Sequence, residues 1–312
     1  MKQFLSLLLL SAFFIACNSD NVKVKLEYEK AETTLNELKH VDWSKNATIY
    51  EANIRQFTPE GTFNAFEKTL PKLKELGIKI IWLMPVQPIG ELNRKGSLGS
   101  YYSIKDYTAV NPEFGTMEDM RSLVNKAHDL GFKIILDWVA NHSSWDNVWA
   151  SEHPDWYTKD SLGNFMPPNP DWSDVLDLNY NNEELRAEMI NAMKFWIDEV
   201  GFDGFRCDVA YDVPLDFWNQ ARAELDKSKA VFMLAEADQT DHHEKAFDMS
   251  YAWELMHLTK HVVNGDSALL SIDRYMKRQS ERFSSNDYRM NLLTSHDENS
   301  WNGTIEERYG SS

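Results

Sequence analysis

Short apolar runs alternate with amphipathic stretches along most of the chain. Runs of continuous apolar residues are typical of strands buried on both faces. They predict seven strands, over 48–54, 79–84, 133–139, 204–209, 231–235, 248–252 and 290–294. The stretches between them carry the 3.6-residue spacing of helices. One helix begins at the cap Thr116 and ends at Gly131, another ends at Gly201, and Pro71 predicts a kink or restart within 63–76.

The order of these elements predicts the fold class. Strands that alternate with helices form a parallel sheet, and seven such units indicate an α/β fold of the (β/α)8 TIM-barrel type. The eighth unit is missing before the end at Ser312, so we expect a C-terminally truncated barrel over 46–312. The connection over 143–182, after the third strand, is long and rich in Pro, Asn, Asp and Trp, which predicts a small inserted domain there.

The N-terminus has the pattern of an export signal. Lys2 precedes an apolar run over 4–15 and the small Ala16, which predicts a signal peptide over 1–16 that is too short to span a bilayer. Cys17 follows directly, and this arrangement resembles a bacterial lipoprotein signal. We therefore expect lipidation at Cys17, a tether over 17–45, and a membrane-anchored protein in the cell envelope. The alternative is an ordinary cleaved signal with an incidental cysteine.

Composition narrows the choice of partners. Acidic residues outnumber basic ones 49 to 32, and no basic patch offsets the net charge of −17. Nucleic acid is therefore excluded as an expected partner, because phosphate binding needs clustered Lys and Arg. The 11 Trp, 12 Tyr and 16 Phe suit either flat sugar ligands or a large core. Cys207 lies within an apolar strand, which predicts a small buried side chain rather than a nucleophile.

Polar residues end several of the predicted strands, where barrels carry their catalytic groups. Arg206 and Asp208 are two apart on a strand and point to the same side, so we expect Arg206 to lower the pKa of Asp208. Glu236 follows apolar residues, and burial favours the protonated form of a carboxyl. With Asp297 after the seventh strand, three carboxylates meet at one mouth. Glycoside hydrolysis needs two carboxyl groups in different protonation states.

Four segments carry a specific resemblance. DWVANH (137–142), GFRCDVA (204–210), LAEAD (234–238) and TSHDEN (294–299) resemble, in order, the four signature regions of the α-amylase family of glycoside hydrolases. GIKIIWLMPV (77–86), SYYSIKDYTAVNPEFGT (100–116) and LDLNY (176–180) are similar to further segments of that family. The resemblance covers about residues 46–312 and implies a retaining hydrolase acting on starch, maltodextrin or related α-glucans.

The resemblance also implies roles for individual residues. It makes Asp208 the nucleophile, Glu236 the general acid/base and Asp297 the third carboxylate. The substrate-binding residues that it implies are Arg206, His142, His296 and Tyr102. It requires no cofactor and leaves calcium open, with Asn141 as the candidate metal ligand. Tyr211 and Asp212 stand where many calcium-dependent members have Lys and His, which weakens the case for calcium.

Other functions fit the same residues. A transglycosylase or isomerase of this family would use the same carboxylates, because the outcome depends on whether water or a sugar meets the intermediate. A truncated, inactive glucan-binding protein is the alternative outside catalysis. The Trp residues of the inserted domain, Trp145, Trp149, Trp156 and Trp172, either line sugar subsites or form its core.

Overall fold

The computed structural model describes residues 38–310. The predicted signal peptide, Cys17 and the tether as far as residue 37 lie outside the described residues. Residues 38–45, the rest of the predicted tether, pack against the barrel: Val41 is buried with the inward-facing residues of the sheet, and His40 bonds Asp248 at 2.8 Å. Within 38–310, no helix has the length and apolar character needed to cross a membrane.

A curved parallel sheet of seven strands forms the centre of the described region. Its strands, in sheet order, are β1 (Ile49–Ala52), β2 (Ile80–Leu83), β3 (Lys133–Trp138), β6 (Gly204–Cys207), β7 (Phe232–Ala235), β8 (Met249–Tyr251) and β9 (Tyr288–Met290). Each neighbouring pair is parallel. The sheet curls into a half-barrel, which confirms the predicted fold class.

Helices cover the outer face of the sheet. The α-helices are α1 (Ile54–Phe57), α2 (Phe63–Glu67), α3 (Leu70–Glu75), α4 (Met117–Asp129), α5 (Val148–Glu152), α6 (Glu183–Phe195), α7 (Leu215–Leu225), α8 (Trp253–Val263), α9 (Leu270–Arg282), α10 (His296–Trp301) and α11 (Ile305–Tyr309). Short 3-10 turns lie at Asp42–Ser44, Pro154–Trp156, Ala210–Asp212 and Asp241–His243, and α6 continues into a π-helical turn, Trp196–Val200.

The predicted helix boundaries follow from local chemistry. Thr116 and Asp119 form a reciprocal capping box at the start of α4. Gly201 ends the turn after α6 with a φ of 97°, a left-handed conformation that glycine adopts without steric cost. The restart expected at Pro71 is present as two helices, α2 and α3, with the proline in the first turn of α3.

The last strand of the sheet differs from the prediction. The structure places it at Tyr288–Met290, where it pairs with Met249–Tyr251, and not at 290–294. The apolar pair in the predicted run does not continue the sheet, and Leu293 is 47% exposed. The position of β9 is fixed by its pairing with β8, which the local hydrophobicity of the sequence does not show.

The long connection after β3 forms a small substructure of its own. β4 (His142–Ser144) and β5 (Val175–Asp177) pair antiparallel within it. Trp149 and Trp156 are buried and pack edge to face with ring centroids 5.5 Å apart, so these two form its core. Trp172 instead lies beside His142, with ring centroids 5.4 Å apart.

The two faces of the strands have different partners. Ile80 and Trp82 of β2 face the barrel interior, whereas Ile81 and Leu83 pack in the cluster that includes the helices. Residues that pair in register on parallel strands share a face, so Glu51, opposite Trp82, also points inward. Cys207 is a fully buried free thiol, and burial raises its pKa well above the usual range, which confirms that it is a core residue.

Candidate active site

One buried arginine organises the mouth of the barrel. Arg206 lies on β6 and has no exposed surface. Its Nη1 donates to Asp137 Oδ1 at 2.8 Å and to Asp208 Oδ1 at 2.7 Å. Its Nη2 lies 3.0 Å from Glu236 Oε2. A single guanidinium therefore contacts three carboxylates, two of which are the predicted nucleophile and the predicted acid/base.

Neighbouring side chains hold this guanidinium in place. Arg206 Nε donates to the Tyr251 hydroxyl at 3.1 Å, and the guanidinium carbon lies 5.0 Å from the centre of the Trp82 ring. Trp82 Nε1 in turn donates to Asp137 Oδ2 at 3.0 Å. Asp137 therefore fixes Arg206 and Trp82 together, which is a structural role.

The charge balance of this cluster corrects one expectation. With every group ionised, three carboxylates and one guanidinium would carry two net negative charges in a buried site. Burial raises the pKa of Asp208 well above its usual range, and the charges of Glu236 and Asp137 add to that effect against the opposing pull of Arg206. Arg206 therefore lowers the pKa of Asp208 as expected, but it does not outweigh burial and the two neighbouring carboxylates, and the net change is a rise. Burial likewise raises the pKa of Asp137 to about 6, although Arg206 opposes it.

The backbone after β6 is strained where it meets Glu236. Val209 N donates to Glu236 Oε2 at 2.7 Å. Val209 has φ 44° and ψ 41°, a left-handed conformation that costs a β-branched residue about 1–3 kcal/mol. The strain turns this amide toward Glu236 and fixes the carboxylate beside Arg206. Strained backbone of this kind clusters at functional sites.

The structure places His296 and Asp297 differently from the sequence prediction. They form the first turn of α10, after an irregular segment, because Ser295 caps that helix through a bond from the Glu298 amide. Asp297 is half exposed, and its Oδ1 lies 3.3 Å from His296 Nε2.

Tyr211 lies near all three predicted carboxylates. Partial burial raises the pKa of the Tyr211 hydroxyl, and so do four carboxylates: Asp212, Glu236, Asp208 and Asp297. Tyr211 is 46% exposed. Of the three predicted carboxylates, Asp208 and Glu236 contact Arg206 and Asp297 does not, so their meeting at one mouth stays a prediction.

Tyr102 and His296 connect the cluster to β1. The Tyr102 hydroxyl lies 2.8 Å from His296 Nε2 and 3.2 Å from Asp137 Oδ2, and the two rings stack 5.4 Å apart. His296 Nδ1 bonds Oε1 of Glu51. Burial lowers the pKa of His296, but the bond to Glu51 and its charge outweigh burial, and the net effect raises that pKa. The sequence prediction did not include Glu51.

The other predicted histidine has the opposite character. Burial lowers the pKa of His142 to about 4, so it is neutral at pH 7. Its Nδ1 lies 3.2 Å from Asn141 Nδ2. The ring of Trp172 lies next to it, which gives this side of the mouth an aromatic surface.

Among the described residues, Asn141 has no cluster of acidic side chains around it of the kind that usually binds calcium. Calcium takes six to eight oxygen ligands, usually with several carboxylates. Across residues 38–310, no three acidic, His or Cys side chains gather in a way that could hold a metal ion. The Asn141 amide nitrogen contacts His142, and Asp174 pairs with Lys95 at 3.3 Å.

Comparison with known proteins identifies the family. The sequence profile described as "Alpha amylase, catalytic domain" matches residues 14–172 and 169–306. Alpha-amylase 3 of Dictyoglomus thermophilum is 35% identical over 229 residues, 62% of this chain and 44% of that protein. The α-1,4-glucan:maltose-1-phosphate maltosyltransferase of Mycolicibacterium smegmatis is 31% identical over 197 residues, 57% of this chain and 28% of that protein.

A solved structure supports the same assignment. The crystal structure of an α-amylase from Lactobacillus plantarum has a TM-score of 0.78 and 38% identity, covering 82% of this chain and 64% of that chain. The fold and the site define a (β/α)-barrel of glycoside hydrolase type. The chain belongs to the α-amylase catalytic-domain family. It spans about two thirds or less of the length of each of these relatives.

Proposed function

We propose that this chain carries the active site of a retaining hydrolase of α-glucosidic bonds in starch, maltodextrin or related α-glucans. The observation that carries the proposal is the contact of Asp208 and Glu236 with the same guanidinium, within 3.0 Å. A shared cation keeps the two carboxyl groups close together. Retaining glycosidases need a short separation, about 5–5.5 Å, between nucleophile and acid/base.

The reaction follows from the proton count of the cluster. Burial favours the protonated forms of Asp208 and Asp137, and the acid step needs a proton on Glu236 and none on Asp208. Asp208, ionised and bonded to Arg206, attacks the anomeric carbon while Glu236 protonates the departing glycosidic oxygen. The bond from the anomeric carbon to that oxygen breaks and a glycosyl–Asp208 ester forms. Glu236 then takes a proton from water, which attacks the anomeric carbon and releases Asp208.

The remaining site residues position the sugar. Asp297 lies at the open side of the mouth, where it can accept bonds from sugar hydroxyls. His142, neutral and buried, offers one ring nitrogen as donor, while Tyr102 and His296 present a stacked pair of rings. The Trp172 ring beside His142 extends this surface with an apolar face.

Transfer to a second sugar is the alternative outcome of the same chemistry. The glycosyl–Asp208 ester can be taken by a sugar hydroxyl in place of water. The support for this alternative is the similarity to a protein named as a maltosyltransferase. Product analysis at low and high maltooligosaccharide concentration separates the two, because transfer products increase with acceptor concentration.

One assay tests the proposed activity. The chain is incubated with starch, maltooligosaccharides and a β-glucan, and NMR follows the anomeric protons of the first products. We expect cleavage of the α-glucans alone, with α-anomers formed first. Asp208→Asn should lower kcat by at least about a thousandfold, because a nucleophile is removed. The matched control Asp216→Asn, at an exposed surface pair with Arg186, should leave kcat unchanged. First-formed β-anomers, cleavage of β-glucan or an active Asp208→Asn would contradict the mechanism.

We further propose that the protein is exported and anchored through a lipid on Cys17. The support is the sequence pattern of Lys2, the apolar run over 4–15 and the adjacent Cys17. Expression of the full chain in bacteria with radiolabelled palmitate should label the protein and place it in the membrane fraction. Cys17→Ala should abolish the labelling. Equal labelling of both proteins would reject Cys17 as the lipidated residue.

A further inference from the structure

A carboxylate from the first strand holds the histidine that begins α10. Glu51 lies on β1, and His296 begins α10 after β9, at the other end of the sheet order. Glu51 Oε1 bonds the ring nitrogen Nδ1 of His296, and its Oε2 accepts from the His296 backbone amide at 3.2 Å. Both carboxylate oxygens are thus used on one residue, which fixes the ring and the helix start together.

The hydrogen-bond partners restrict where the protons of this ring lie. An ionised carboxylate only accepts, so Nδ1 carries a proton toward Glu51. The Tyr102 hydroxyl has one proton and two neighbours, Asp137 Oδ2 at 3.2 Å and His296 Nε2 at 2.8 Å. When that proton goes to an ionised Asp137, Nε2 must donate to the Tyr102 oxygen. His296 is then protonated on both nitrogens.

The charges around the ring favour this doubly protonated form. Burial lowers the pKa of His296, whereas the bond to Glu51 and the charge of Glu51 raise it, and the net change is a rise. The other titratable and charged groups that face this ring are Asp297 and Asp137, which favour the charged form, Arg206, which opposes it, and the Tyr102 hydroxyl. Two carboxylates besides Glu51 thus outnumber the single guanidinium.

We propose that Glu51 is a positioning residue that fixes the orientation of His296 and keeps it as an imidazolium, so that its Nε2–H donates to the Tyr102 hydroxyl and holds Tyr102 in place at the sugar-binding mouth. The consequence for sugar rests on the proposed function, whereas the Glu51–His296 contact does not. Glu51 itself acts through His296 and touches no reacting atom. Removing its charge therefore lowers the pH at which the ring loses its second proton.

Two substitutions separate charge from shape. Glu51→Gln keeps the size of the side chain and removes its charge, whereas Glu51→Asp keeps the charge and shortens the side chain. A merely structural role would be preserved better by Gln. The proposed role would be preserved better by Asp, because the carboxylate is what holds the second proton on His296.

The first measurement is an NMR titration of the ring protons in the histidine-labelled full chain. His296→Gln removes one resonance and so assigns His296. In the unsubstituted chain we expect a titration midpoint above 6.5, the ordinary value for histidine, because the pKa is raised. Glu51→Gln should lower that midpoint, and Glu51→Asp should retain most of the rise. The second measurement is the pH profile of kcat/KM on a maltooligosaccharide, in which the alkaline limb of Glu51→Gln should move to lower pH, with about a tenfold loss of kcat/KM at pH 7.5.

Each result decides the matter. A midpoint at or below 6.5 in the unsubstituted chain, or the same midpoint in Glu51→Gln, would overturn the proposal. If Glu51→Gln does not fold, the titrations of the unsubstituted chain and of Glu51→Asp still decide it. If the expected midpoints appear but no form cleaves α-glucan, the proposed function fails and the Glu51–His296 contact stands. If the chain cleaves α-glucan but Glu51→Gln leaves the titration midpoint of His296 unchanged, the proposed function stands and the role of Glu51 is rejected.

Discussion

The sharpest stability prediction concerns Arg206→Met. The substitution keeps an unbranched side chain of similar reach and removes the cation that contacts Asp137, Asp208 and Glu236. The three carboxylates would then have no guanidinium within bonding distance. Asp137 is fully buried and Asp208 nearly so, and water therefore cannot replace the lost partner.

The size of the effect follows from that burial. Removing one partner of a buried ion pair costs about 3–5 kcal/mol, because the other charge stays buried and uncompensated. A whole domain is stable by only about 5–15 kcal/mol. We therefore expect Arg206→Met to lower the free energy of unfolding by at least about 3 kcal/mol at pH 7.5.

The loss should also depend on pH in a definite direction. Burial already raises the pKa of Asp137 from 3.8 to about 6 in the folded chain. A carboxyl with a raised native pKa binds its proton more tightly when folded. Its contribution to stability is therefore full below 3.8 and is lost as pH rises through 6. Without Arg206 the carboxyl pKa values rise further, so the cost of Arg206→Met should be about 1 kcal/mol or more smaller at pH 5.0 than at pH 7.5.

Urea unfolding at the two pH values measures this cost. The matched control is Arg186→Met, which breaks an ion pair to an Asp216 side chain that is 72% exposed. The control should cost about 1–2 kcal/mol, equally at both pH values, because it also removes the bond from Arg186 Nε to the Tyr180 carbonyl. A cost of Arg206→Met below about 1 kcal/mol at pH 7.5, or one that does not change with pH, would show that the carboxylates do not depend on this guanidinium.

Three further predictions concern other parts of the chain. Asp203→Asn should lower the free energy of unfolding by about 2–3 kcal/mol at pH 7. His128 and two lysines contact this buried carboxyl and its pKa is lowered, so its contribution to stability is lost as pH falls below 3.8. The free energy of unfolding of the variant should therefore change less with pH on the acid side. Gly204→Ala should lower the free energy of unfolding by more than about 3 kcal/mol, because the new Cβ would lie 1.8 Å from the Phe232 carbonyl oxygen of β7. The control Gly163→Ala has open space around it and should lower that free energy by about 1–2 kcal/mol. Chemical denaturation checks both. Trp172→Ala should raise KM for maltooligosaccharides severalfold with little change in kcat, and a lower kcat at constant KM would refute its role as a binding surface.

The local parts of the fold could be predicted from the sequence. Thr116 caps α4 and Gly201 ends the turn after α6, because caps and left-handed glycines act within a few residues of their position. Asp208 and Glu236 could be found as polar residues that end apolar strands. Where pairing between distant strands decides, as for β9, the sequence prediction was wrong.

The charge state of the site could not be predicted for the same reason. Asp137 and Arg206 are 69 residues apart and directly opposite on β3 and β6. The sequence places Arg206 beside Asp208, and from that pair alone a lowered pKa follows. The structure adds Asp137 and Glu236 to the same guanidinium, and burial of the whole cluster then reverses the direction. A pKa depends on every charge within a few ångströms, whereas a motif shows only its neighbours along the chain.

The sequence contains a pattern that points to Glu51. Glu51 lies within the run of β1 and not at its end, where polar residues indicate a catalytic site. Along a strand, however, alternate residues share a face. Tyr50 packs outward against Phe57, and Glu51 must therefore face the interior beside Trp82. A carboxylate that is mostly buried on the inner face of a sheet is costly unless a partner satisfies it. The sequence thus holds a reason to look for a cation opposite Glu51, and His296 is the group that the fold brings there.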